Sequence, residues 1–519
     1  MSSDAPSSSG HHIRVQAGQG LVWNGLSAIV GQILRLVSSV VVARLLGPET
    51  YGLIGIALMV TNGAMLFQDM GFSLALIQSE NLSEETKSAA FWLNVLISVG
   101  LCVLVLALAP MVAGFFAGEV TSAERMRLVL AALAPIVVTT ALGSVHTSLL
   151  QRGLAFRSVS LSQMGGGLVE AGVTIGVALG GGGVWALVIG IWVRECVRLT
   201  LLWLFSPWRP RLRWRLAALQ PLLRFGINAM GTRVMLYFRQ YFDGIVIGRA
   251  LGEASFGIYS MAFQWAMFPR MRLVPIVRQV MLPVLSRLQC RMEHLRATYT
   301  RLLGLVGLGV LPVSTGMFLV SDDLVLTVYG PAWSEAVFPL RVLCLGALAV
   351  PVASTAASLL MAVGRADLDR RLTWLSAALF GLLVVVGARW RLQGVAVAVG
   401  AELWLFALAQ AWGARTAVGL RFKDLVCALW PAAAGCLLMA VVVPAWRFAA
   451  VQLGLSDLAR LVVAVALGAG TYVLALRLLA QAFLSEVLTV AQEALPVPIV
   501  DSMLWQWVRV CLVGGNTML

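Results

Sequence analysis

Charge is scarce in this chain. Only 12% of its 519 residues are Asp, Glu, Lys or Arg, whereas 60% are hydrophobic and the mean hydropathy is +0.88. A water-soluble domain cannot cover itself with so little polar surface, so that class is excluded. Lysine is nearly missing: Lys87 and Lys423 are the only two among 38 cationic side chains. The net charge of +14 is therefore carried by arginine. Genome composition accounts for that bias, and so does a need for guanidinium, which grips phosphate through paired N–H groups. The basic residues sit in short loops between apolar runs and not in a folded basic domain, which argues against nucleic acid as a partner. Seven cysteines (Cys102, Cys196, Cys290, Cys344, Cys427, Cys436, Cys511) form no CxxC pair and no Cys/His cluster with metal-ligand spacing, so neither a metal centre nor a disulfide framework is indicated. The polar start "MSSDAPSSSGHHIRVQAGQG" runs into apolar sequence without a small-residue cleavage signal and reads as a retained tail.

What is present is a succession of apolar windows, each of roughly 20 residues and long enough to cross about 30 Å of hydrocarbon. About fourteen windows fall between residues 21 and 481, predicting an all-α polytopic membrane protein. With the N-terminus inside, Arg152 and Arg157, Arg209 to Arg215, Arg287 to Arg301, Arg365 to Arg371 and Arg415 to Lys423 all fall in cytoplasmic loops. The alternate connections are poor in cations: 180–183 is uncharged and 321–335 carries only acids. Both termini are expected in the cytoplasm.

The stretch "VVARLLGPETYG" at 41–52 returns as "VIGRALGEASFG" at 246–257. An offset of 205 pairs Arg44 with Arg249, Gly47 with Gly252, Tyr51 with Phe256 and Gly52 with Gly257. Six spans separate the copies, so the two halves share an orientation, as in transporters built from parallel repeats. The expected organisation is a tail (1–20), a six-helix lobe (21–205), a basic linker (206–225), a second six-helix lobe (226–413), a further helix pair (414–483) and a cytoplasmic tail (484–519).

On a helix turning about 100° per residue, Asn24, Gln32, Arg35 and Ser38 share one face of the first span. In the seventh, Asn228, Arg233, Tyr237, Arg239, Gln240 and Asp243 share a broader one. The repeat offset superposes Gln32 on Tyr237, Arg35 on Gln240 and Ser38 on Asp243. Charges at membrane depth are costly unless they face protein or water, so matched polar faces predict a hydrated, cationic path between the lobes. Arg270, Arg272 and Arg278, around Pro269 and Pro275, fit that lining and a cytoplasmic interface equally well. Candidates for proton or cation coupling are Asp243, Glu170, Glu402 and Asp69, although Asp69 before Gly71 also reads as the cap of a bend. Arg194, Glu195 and Arg198 read as a local ion-paired group, and His146 as a core histidine.

Segments including "ARLLGPETYGLIGIALM" (43–59), "FQDMGFSLALIQ" (67–78), "LLQRGLAFR" (149–157), "GGVWALVIG" (182–190) and "DGIVIGRALGEASFGIYSMA" (243–262) resemble the Wzx-type polysaccharide flippases of the MOP exporter superfamily. The resemblance implies an inner-membrane protein that moves an undecaprenyl-diphosphate-linked oligosaccharide between leaflets. It implies as partners that lipid-linked glycan, membrane lipids, a polysaccharide polymerase and a chain-length regulator. No cofactor and no catalytic residue are expected. With no G-x-x-x-x-G-K-[ST] motif in the chain, a gradient of H+ or Na+, or removal of product, is left as the drive. Rival readings are a peptidoglycan-precursor flippase, which shares a cationic path, and a multidrug antiporter, which calls for an acidic or apolar one. An enzyme acting on glycans needs a large extramembrane loop that the sequence lacks.

Overall fold

The computed structural model describes residues 7–69, 73, 76–77, 83–116, 120–211 and 220–479; side chains are described over these stretches except at 7–30, 32–37, 69, 120–121, 220–232, 276 and 279–280. Every regular element among them is helical. The helices longer than ten residues are α1 (Ser7–Asp69), α2 (Glu84–Phe116), α3 (Val120–Leu133), α4 (Ile136–Arg152), α5 (Phe156–Leu179), α6 (Val184–Phe205), α7 (Gln220–Ala266), α8 (Phe268–Arg287), α9 (Met292–Leu319), α10 (Val337–Ala347), α11 (Val350–Ala362), α12 (Ala366–Gly387), α13 (Arg391–Val418), α14 (Phe422–Gln452) and α15 (Asp457–Leu479). The chain divides into two compact units, Met1–Gly257 and Ile258–Leu519.

Among the described residues eight stretches are long and apolar enough to cross a membrane, one of which, Ala366–Val418, holds both α12 and α13. The chain is thus a multi-pass membrane protein, as expected, although these eight do not establish the expected number of about fourteen crossings. Helices outside the eight include α6, with Arg194, Glu195 and Arg198, and α7 and α8, with their arginines.

The way α2 packs shows the lipid solvent at work. From Phe91 on, its buried positions recur at spacings of three and four, and Asn94, Ser98, Cys102, Ala109 and Ala113 among them are small or polar, with Phe91, Val105 and Phe116 as the larger exceptions. Leu96, Val103, Leu104 and Met111 point outward. With no hydrophobic drive between helices in lipid, small residues permit close approach and polar ones bond across it: Asn94 Nδ2 donates to Ser144 Oγ on α4 at 2.7 Å.

Both copies of the repeated segment break their helix in the same manner. Gly47 has φ 74° and ψ 174°, and Gly252 has φ 87° and ψ 177°, a region open almost only to glycine. Pro48 then opens the second arm of α1 without needing an N–H. Within the first unit the two breaks meet. A Cβ on Gly52 would overlap the carbonyl oxygen of Glu253, and one on Gly257 would overlap that of Pro48 and come within 2.9 Å of the Gly52 nitrogen. Tyr51 hydrogen-bonds Ser39 at 3.1 Å. Its counterpart Phe256, lacking a hydroxyl, fills the space left by Gly55 and Gly244, where a Cβ would come within 2.7 Å of its ring.

In the second unit one apolar cluster, with Met281, Leu295, Tyr299, Leu359 and Ala411, joins α8, α9, α11 and α13. Another, with Leu311, Cys436, Met439, Val443 and Tyr472, fixes α14 and α15 to α9. The Tyr472 hydroxyl donates to the Leu308 carbonyl at 3.0 Å, made possible because Gly435 leaves room for the ring.

Candidate functional site

Charge along α7 and α8 is one-sided. Residues 220–251 hold Arg224, Arg233, Arg239 and Arg249 against one acid, Asp243, and α8 holds Arg270, Arg272, Arg278 and Arg287 against none. Proline at 269, 275 and 283 keeps α8 from a regular apolar face. In the first unit Arg233 and Arg239 are half-buried; in the second Arg270, Arg272 and Arg278 are exposed. Guanidinium groups held in this way bind phosphate oxygens with charge-assisted hydrogen bonds at any physiological pH, because they have no proton to lose.

The other predicted positions of α7 are divided by packing. Tyr237 turns into the first unit, where its hydroxyl donates to the Met59 carbonyl and its ring lies against Gly63. It stacks on Tyr241 with centroids 4.5 Å apart. Gln240 is exposed, whereas Asp243 is 4% exposed and accepts a hydrogen bond from the Gly244 N–H at 2.9 Å. The side chains of Asn24, Gln32, Arg35, Asp69 and Asn228 lie outside the described residues.

Glu170 on α5 accepts from Arg194 on α6 at 3.0 Å, and Arg194 also meets Glu195, which Arg198 holds at 2.8 Å. The group read as local to α6 therefore extends across two helices. Glu402, 3% exposed on α13, accepts from the Ser376 hydroxyl on α12. Lower on the same hairpin, Gln410 donates to Asp369 at 2.8 Å. His146 is fully buried between Phe91, Trp203 and Trp208, and neither ring nitrogen has a hydrogen-bond partner among the described residues.

Two arrangements escaped sequence reasoning. The acids of the 321–335 connection are matched from far along the chain: Arg341 bonds Ser321 and Asp322, Arg447 reaches Asp322 at 3.1 Å and Asp323 at 2.6 Å, and Arg460 lies 3.8 Å from Asp323. Arg341 is thus committed to an ion-paired network in the second unit. Glu253 is the other. It is 7% exposed and accepts from Ser122 Oγ on α3 at 2.6 Å. The only local signal was its place in the repeat, where the first copy has Pro48.

Known proteins agree with this architecture. Residues 41–338 match the family model described as polysaccharide biosynthesis protein. The chain is 28% identical over 383 residues to the lipopolysaccharide biosynthesis protein WzxC of Escherichia coli, covering 73% of this chain and 76% of that one. It is 25% identical to the teichuronic acid biosynthesis protein TuaB of Bacillus subtilis, over 69% of this chain and 73% of that one. Among solved structures, the lipid II flippase MurJ in an inward closed conformation is similar with a TM-score of 0.70 and 14% identity, covering 88% of this chain and 98% of that one. An inward-facing multidrug resistance MATE family transporter of the MOP superfamily is similar with a TM-score of 0.61 and 15% identity, over 77% and 98%. The resemblance to Wzx-type proteins is borne out, and since the match spans more than half of its residues, the chain belongs to the polysaccharide biosynthesis protein family, with a fold similar to those of MurJ and the MATE transporter.

Proposed function

We propose that this protein is a Wzx-type flippase, moving undecaprenyl-diphosphate-linked oligosaccharide units from the cytoplasmic to the periplasmic leaflet of the bacterial inner membrane for surface or exported polysaccharide. The observation that carries this is the arginine excess of α7 and α8: half-buried Arg233 and Arg239 and exposed Arg270, Arg272 and Arg278, against two acids, Asp243 and Glu253. A diphosphate needs compensation where the dielectric is low, and these arginines supply it through bidentate bonds. On this reading Gln240, which is exposed, meets sugar hydroxyls, and Arg35, Asn24, Gln32 and Asn228 extend the polar faces by helical periodicity. The prenyl tail stays in lipid.

The relatives support the cargo by name, since WzxC, TuaB and the succinoglycan biosynthesis transport protein ExoT of Rhizobium meliloti all serve polysaccharide synthesis. Likeness to the lipid II flippase is one of fold at 14% identity and does not favour a peptidoglycan precursor. The arginines disfavour a cationic drug. Both termini lie in the cytoplasm on this reading, which puts the Gly52–Gly257 junction on the periplasmic side. The polymerase and chain-length regulator receive the product there. Asp243, Glu170, Glu402 and Asp69 are the candidates for a coupling ion, Glu170 being paired with Arg194 and Glu402 hydrogen-bonded by Ser376.

The test is deletion of the gene. Loss of surface glycan with lipid-linked repeat units building up on the cytoplasmic leaflet supports the assignment; unchanged surface glycan overturns it.

A further inference from the structure

The Gly52–Gly257 junction carries a carboxyl group that transport chemistry does not use. Glu253 belongs to the junction through its backbone, its carbonyl oxygen occupying the place of a Cβ on Gly52. Its side chain is buried, 7% exposed, and Ser122 Oγ is its hydrogen-bond partner at 2.6 Å. No arginine or lysine among the described residues forms an ion pair with it; exposed Arg125 on α3 and exposed Glu49 on α1 are the charged groups that act on it, with opposite signs. An ionised carboxylate buried with one neutral donor and no paired cation is unstable, and the group relieves this by taking up a proton.

We propose that Glu253 is a proton-binding site whose protonation stabilises the closed Gly52–Gly257 junction. Burial holds its carboxyl above the usual glutamate range, while the Ser122 hydrogen bond pulls the other way. The group lies in the connection between the seventh and eighth expected spans, outside both.

The linkage follows in sign. A carboxyl whose affinity for protons is greater in the closed junction than in the open one favours closure at low pH, and that contribution is lost as pH rises through the closed-state value. Opening separates Gly52 from Gly257, exposes Glu253 to water and releases the proton. On the flippase reading, on which this step of the cycle rests, the junction faces the periplasm, the acidic side of an energised membrane. Proton uptake there closes the outer side after glycan release and resets the carrier.

Distances between spin labels at Leu45→Cys and Ala250→Cys measure the junction directly. These positions are equivalent in the repeat and both exposed. Full-length protein without its native cysteines, held in lipid nanodiscs, is examined between roughly pH 5 and pH 8. The expected result is a short-distance population that dominates at low pH and declines as pH rises. Glu253→Gln keeps the short distance throughout, and Ser122→Ala moves the transition to higher pH by removing a bond that favours the ionised form. A distance distribution independent of pH, or a response that survives Glu253→Gln, overturns the proposal. The labels report closure whatever the cargo, so either failure leaves glycan translocation to be judged on its own assay.

Discussion

Gly52 and Gly257, equivalent positions of a segment that occurs twice, lie backbone against backbone: a Cβ on Gly257 would come within 2.9 Å of the Gly52 nitrogen. Gly52→Ala and Gly257→Ala therefore block closure of the junction. Polysaccharide export is expected to fall by at least about tenfold, a loss equal to about 1.4 kcal/mol in the closing equilibrium. Gly100→Ala, where a Cβ meets nothing within 4 Å, is the control expected to export normally.

Gly47 and Gly252 are needed for conformation and not for space, since a Cβ at either meets nothing within 4 Å. Alanine at either position has to hold a backbone that costs on the order of 1–3 kcal/mol. Melting of the purified variants in detergent should show this loss in both, and a wild-type midpoint in either would remove the shared break from the account.

Arg233 is half-buried, and its charge is the more valuable for it. Arg233→Ala is expected to abolish most export while the protein still inserts at normal abundance, and Arg233→Lys to restore only part, because ammonium offers no planar fork to a phosphate. Full activity of the lysine variant would show that charge alone suffices.

The last two helices are tied to the second unit through Asp323, which meets Arg447 at 2.6 Å while only 7% exposed. Asp323→Asn leaves Arg447 with Asp322 and the Leu319 carbonyl as its partners and is expected to cost about 1–3 kcal/mol. The exchange Asp323→Arg with Arg447→Asp should recover part of it. Thermal melting of the three proteins checks both statements.

Much of the fold was legible because lipid imposes simple rules: apolar runs of the right length, and a repeat whose glycines do the same backbone task twice. Polar faces were legible too, since Arg233 and Tyr237 stand one helical turn apart. Helical periodicity gives a face but not the neighbour that covers it. Tyr237, read as part of the polar face of the seventh span, has its hydroxyl on the Met59 carbonyl of α1. Glu170 and Arg194, 24 positions apart, meet because α5 and α6 pack together. Asp323 and Arg447 are joined across more than a hundred residues, and no local pattern encodes such a pairing.

The central claim is translocation, and reconstitution measures it most directly. Purified protein in liposomes carrying a fluorescent undecaprenyl-diphosphate oligosaccharide should let an external quencher or glycosidase reach nearly all of the lipid, against about half in protein-free vesicles. Arg233→Ala liposomes should resemble the protein-free ones. Access that stays at half with the wild-type protein, or equal access with Arg233→Ala, would contradict the account.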